Sequence, residues 1–138
     1  MNLHLLSRTR ARPLVLVVDE DEGTCATYAY ALSAMRFEVL TADAVATAHA
    51  RAWEMRPDIV VTGVASRGGT GWALLRTLKE DQDPRTRDIP VVVLAANATP
   101  SVRERAARGG CAALCLKSCP TDRLASGLRS VLERERSA

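Results

Sequence analysis

An α/β protein built on a doubly wound, parallel five-stranded sheet is the fold class this sequence predicts, and three observations predict it. Short apolar runs and helix-patterned segments alternate five times along 138 residues. The run LVLVV (14–18) is continuous in apolar character, as in a strand buried on both faces, and DIVVT (58–62) and IPVVVLA (89–95) read as further strands. The segments between strands are about ten to fifteen residues of helical pattern, the length of a right-handed crossover between parallel strands.

Each element follows from local chemistry. LVLVV is the first strand, and residues 22–35 follow as a helix with Thr24, Thr27 and Tyr28 among its small and polar positions. FEVLTA (37–42) alternates in polarity, which suits a sheet edge. Asp43 is placed to cap a helix over 44–55, which stops ahead of Pro57 because the residue before a proline is pushed out of the helical region. The third strand, 58–62, leads through a glycine-rich turn into a helix from Gly71 to about Glu80. DQDPRTRD (81–88) reads as a polar loop before the fourth strand. TPSVRERAARGG (99–110) reads as a short helix with Pro100 at its start and glycines at its end. AALCL (112–116) is the fifth strand, and the last helix runs from about Pro120 to Glu135. The expected organisation is a flexible tail over residues 1–12, containing Arg8, Arg10 and Arg12, and one domain over 13–138.

Composition narrows the function classes. The 47% hydrophobic and 25% charged shares are those of an ordinary globular chain. No apolar run approaches the roughly 20 residues that cross a membrane, and the first residues lack the order of a secretory signal, so a cytoplasmic location is expected. The net charge of +3 comes with seventeen arginines and two lysines spread along the chain, too mild and too scattered a balance for nucleic-acid binding. Cys111, Cys115 and Cys119 are spaced by four, but CAALCLK falls on a predicted strand, and no Cys-x-x-Cys or Cys/His pairing occurs. Together with Cys25 they read as reduced small apolar residues, not as zinc ligands or a disulfide framework.

In such a sheet, chemistry sits at the carboxyl ends of the strands beside the switch in strand order. The first strand ends in DEDE (19–22). Adjacent carboxylates repel unless a cation offsets them, and hard oxygen donors of this kind suit Mg²⁺. A helix N-terminus also favours acids; this accounts for Asp21 and Glu22 better than for Asp19, which abuts the valines. The fifth strand ends in Lys117, whose ammonium can reach the same place.

LVLVVDEDE, PDIVVTGVASRGGTGWALLRTLK, DIPVVVLAAN and GGCAALCLKSCPTDRL, in this order and spacing, resemble the landmark segments of bacterial response-regulator receiver domains over roughly residues 13–135. The resemblance implies a flavodoxin-like (βα)5 fold with strand order 2-1-3-4-5. It implies an acid pair, here Asp19 and Glu20, that helps hold Mg²⁺, and a lysine, here Lys117, after the fifth strand. It also implies a phosphoacceptor aspartate ending the third strand and a Thr or Ser ending the fourth. Those positions hold Gly63 and Ala95. The family's aromatic position holds Leu114, and Ser118 stands where a proline usually follows the lysine.

The expectation is therefore a degenerate pseudo-receiver. Thr62 is one position off and points to the other side of the strand; Ser66 lies in the turn without a neighbouring base. Asp58 begins the strand, about 15 Å from its end at about 3.3 Å per residue. With only Asp19 and Glu20 as residual donors, no metal is expected to bind well, Lys117 is expected to pair with one of them, and no cofactor is implied. The expected function is a stand-alone, non-enzymatic signalling module of a phosphorelay, acting by protein–protein interaction without its own phosphorylation. The implied partner is a histidine kinase, another response regulator, an effector or a second copy of the chain, with no direct contact to nucleic acid or membrane. The family's docking face would present Arg103, Arg105, Arg108, Arg123 and Arg129, whereas Leu124, Leu128 and Val131 fall at the spacing of a core stripe. Two other readings stay open. One is a small flavodoxin-like protein binding nucleotide or flavin at SRGGTG (66–71), although that turn fits neither G-x-x-x-x-G-K-[ST] nor G-x-G-x-x-G. The other is a conventional receiver with an unrecognised acceptor.

Overall fold

The β-branched runs pair as parallel strands in a computed structural model that describes residues 10–64 and 70–137. The strands are β1 (Leu14–Val18), β2 (Glu38–Ala42), β3 (Ile59–Gly63), β4 (Val91–Ala95) and β5 (Ala113–Leu116), in the order β2-β1-β3-β4-β5. The helices are α1 (Glu22–Ala34), α2 (Val45–Met55), α3 (Thr70–Lys79), α4 (Pro100–Gly109) and α5 (Thr121–Ser137). The predicted fold class and strand order are those observed. Residues 1–9, most of the predicted tail, lie outside the described residues. Arg10 is anchored: its guanidinium donates to the Met55 and Arg56 carbonyls and to Asp58 Oδ2.

Strand periodicity divides the core into two layers. Val15, Val17, Ile59, Val61, Val92 and Leu94 face α1 and α5, where they pack with Leu32, Leu124, Leu128 and Val131. Leu16, Val18, Val60, Val91 and Val93 face the opposite way, onto Ala48 and Ala52 of α2 and Leu74, Leu75 and Leu78 of α3. The apolar stripe of α5 is thus core, as its spacing predicts, because it covers β1, β3 and β4 from one side. β2 is an edge strand and is partly exposed along most of its length.

Caps set the helix ends. Asp21 accepts from the Thr24 amide and hydroxyl at the start of α1, and Thr99 accepts from the Val102 amide at the start of α4, with Pro100 in its first turn. α4 ends at Gly110, whose φ of 77° is the left-handed value that glycine adopts without strain. Two local expectations are corrected. Asp43 does not cap α2: Ala44 takes the extended boundary conformation, which leaves Asp43 one position too far from the first orphan amides. The 81–88 loop contains a helical turn, Pro84–Arg87, because Asp83 caps the Arg85 amide and Pro84 is preset for a first helical position.

Candidate functional site at the carboxyl edge of the sheet

The register brings the strand ends together. Val18 lies opposite Thr62, Gly63 opposite Leu94, and Ala95 opposite Leu116. Asp19, Gly63, Ala95 and Lys117 therefore follow one another along one edge, although 98 residues separate Asp19 from Lys117. The Lys117 ammonium donates to Asp19 Oδ2 at 3.3 Å. The Asp19 side chain is only 11% exposed and that of Lys117 36%, so the pair is largely shielded. The other Asp19 oxygen accepts from the Asp21 amide at 2.9 Å. The sequence left Asp19 and Glu20 as alternatives for Lys117, and the contact is with Asp19.

Gly63 faces this ion pair directly. A Cβ built on Gly63 would overlap Asp19 Oδ2 and would meet Lys117 Cε at 3.5 Å. The carboxylate thus occupies the space into which any side chain at position 63 would project. Gly71, in the first turn of α3, packs against the Gly63 carbonyl so closely that a Cβ there would overlap it. Thr62 is fully buried; its hydroxyl donates to the Gly63 carbonyl and lies toward Gly71, away from the ion pair. Asp58 is at the opposite sheet edge, where its carboxylate accepts from the Leu14 amide and Arg10. Ser66 and most of the SRGGTG turn fall outside the described residues.

Backbone and side-chain donors tie the acidic loop down. The Thr24 hydroxyl and amide hold the Asp21 carboxyl below its ordinary value. Cys25 donates its thiol toward the Asp19 and Ala42 carbonyls, and burial pushes that thiol up. All four cysteines are free. Ala95 is buried at the end of β4 and offers no hydroxyl; its carbonyl accepts from the Lys117 amide. The donor set does not fit Mg²⁺. Asp19 is engaged by an ammonium, position 63 has no side chain, and among the described residues no three His, Cys, Asp or Glu side chains gather as a metal cage.

The five arginines expected on one partner face differ in their contacts. Arg105 stacks on Trp72 of α3, its guanidinium carbon 5.0 Å from the ring centroid, and Arg108 pairs with Glu104 at 2.6 Å. Arg103 donates to the Ala98 carbonyl, and Arg123 is exposed. Arg129 is exposed, and its guanidinium donates to the Met35 carbonyl at 2.6 Å and stacks on Phe37, because the helix turn carrying it faces the end of α1. Sequence reasoning missed Trp72, Arg76 and Lys79 on α3. The signal was available as an i, i+4, i+7 stripe.

A parallel 2-1-3-4-5 sheet with an acid and a lysine joined across its carboxyl edge defines the class as a receiver-type α/β domain. The family model of the response regulator receiver domain matches residues 15–129, and the chain belongs to that family, the receiver domain of two-component response regulators. It is 40% identical over 82 residues to the response regulator PleD of Caulobacter vibrioides, a stretch covering 59% of this chain and 18% of that protein. It is 30% identical over 122 residues to the phosphate regulon transcriptional regulatory protein PhoB of Rhizobium meliloti, covering 88% of this chain and 53% of that one. The chain thus spans at most about half the length of these relatives. Among solved structures it resembles the chemotaxis protein CheY4 of Vibrio cholerae, with a TM-score of 0.80 at 21% identity over 88% of this chain and 99% of that one. A receiver domain from Methanospirillum hungatei also superposes with a TM-score of 0.80, at 14% identity over 92% and 98% of the two chains. Among the described residues no helix is long and apolar enough to cross a membrane.

Proposed function

We propose that this receiver domain signals as a pseudo-receiver, by binding a protein partner without being phosphorylated itself. The observation that carries the reading is at position 63. The residue at the end of β3 has no side chain, and the Asp19 carboxylate, held by Lys117, fills the space where an acceptor would stand. An acyl phosphate needs a carboxylate nucleophile, and the described edge offers none at β3. Asp19 and Lys117, which in a phosphorylatable receiver would serve the metal and the phosphoryl group, here neutralise each other. The pocket is thereby closed in one state, and what remains for signalling is the surface. A histidine kinase, another response regulator or an effector is the partner class, and a second copy of the chain is another. No catalytic turnover is assigned to the domain.

Incubation with acetyl phosphate and Mg²⁺, followed by intact-mass measurement, tests the reading. The mass is expected to stay unchanged. A stable gain of one phosphoryl group, mapped to an aspartate, overturns it.

A further inference from the structure

Away from the strand ends, α3 and α4 enclose an open groove of about 350 Å³. Leu75 and Gly109 are in close contact between the two helices; a Cβ on Gly109 would overlap Leu75 Cδ2. Trp72, Arg76 and Lys79 line it from α3, and Arg105 and Arg108 from α4. Glu80 is the single carboxylate among the described lining residues, against four cations. The charges are unevenly satisfied. Arg108 has Glu104, and Lys79 donates to the Arg87 and Ile89 carbonyls at 3.2 Å. Arg76 and Arg105 meet no carboxylate among the described residues.

We propose that the α3–α4 groove is a docking site for an acidic segment of the partner protein, its carboxylates meeting Arg76 and Arg105. The inference rests on the protein-binding reading above and deepens it by giving the partner's chemistry. Charge complementarity selects an acidic occupant, because opposed potentials steer association and like charges are rejected. The groove favours protein over nucleic acid on two counts. Arg105 already covers the Trp72 ring, which removes a face on which a base would stack. The cations are gathered in one short groove and do not extend as a stripe along a phosphate backbone.

The chain's two tryptophans make a direct test. Trp72 lines the groove, and Trp53 is half exposed on α2, outside it. The probe is an acetylated eight-residue peptide of Asp, Glu and Leu, titrated into ¹⁵N-labelled protein while both indole N–H signals are followed. The Trp72 signal is expected to shift, the Trp53 signal to stay, and the shift to weaken at high salt. Arg76→Glu and Arg105→Glu are each expected to weaken binding about fivefold or more. Arg76 makes no hydrogen bond or ion pair among the described residues, so the neutral Arg76→Gln should melt close to the wild type while also losing affinity. No Trp72 shift at millimolar peptide overturns the proposal, as does a shift that survives in both variants. A stronger Trp72 response to a short single-stranded DNA than to the peptide overturns it in favour of nucleic acid. The phosphodonor experiment is read separately, so failure of the groove and failure of the pseudo-receiver reading are distinguishable.

Discussion

Replacing Lys117 by Met removes the only cation that the described structure sets against Asp19. At 3.3 Å and an effective dielectric of about 20, the gross attraction is about 5 kcal/mol. Desolvation of an 11% exposed carboxylate and the ordering of a lysine chain oppose it, and the 36% exposure of Lys117 screens it further. A net coupling of about 1–2 kcal/mol is expected from these terms. Lys117→Met alone should cost about 1–3 kcal/mol, because it leaves a shielded charge beside Glu20 and Asp21 without its partner. Asp19→Asn keeps an acceptor for the Asp21 amide and removes the charge. In the Lys117→Met background it should therefore restore part of the loss. The assay is urea unfolding of the four proteins of the double-mutant cycle, compared at a common slope. Additivity within about 0.5 kcal/mol refutes the reasoning: the contact would then contribute nothing to the closed pocket.

Three further outcomes are expected. Gly63→Asp should lower the melting temperature in the absence of metal, since the new side chain displaces Asp19 from Lys117. It should also create a response to millimolar Mg²⁺ that the wild type lacks, where a ligand at 100 times its dissociation constant adds about 2.7 kcal/mol; calorimetry with and without Mg²⁺ reads both. Gly71→Ala should destabilise by about 1–3 kcal/mol, because its methyl group meets the Gly63 backbone carbonyl, which cannot rotate away; denaturant midpoints check this. Asp21, Asp81 and Asp83 are held below the ordinary carboxylate value by bonds from Thr24, His49 and Arg85 respectively. Their folded values are depressed, so their contribution is present above the unfolded value of about 3.9 and is lost as pH falls through the folded values. Stability should therefore decline below about pH 4, more gently in Asp81→Asn, as followed by circular dichroism.

Sequence alone determined the central strands β1, β3 and β4, because apolar runs rich in β-branched residues have few other ways to bury both faces. It also determined that Gly63 and Ala95, at the ends of β3 and β4, carry no nucleophile or hydroxyl in any conformation. The core role of Leu124, Leu128 and Val131 was legible from helical spacing, since period alone decides which residues share a face. Only the tertiary structure decided what those faces meet. Helical period could not say that Arg129 would reach back to Met35 and Phe37, or that Trp72 and Arg105 would stack across two helices. Local acidity placed both Asp19 and Glu20 near Lys117, but only strand register could bring Asp19 Oδ2 to its ammonium across 98 residues. The difference has one physical origin. Propensity and period are properties of neighbouring residues and are written along the chain, whereas ion pairs, overlaps and grooves depend on ångström-scale approach between segments that only packing sets.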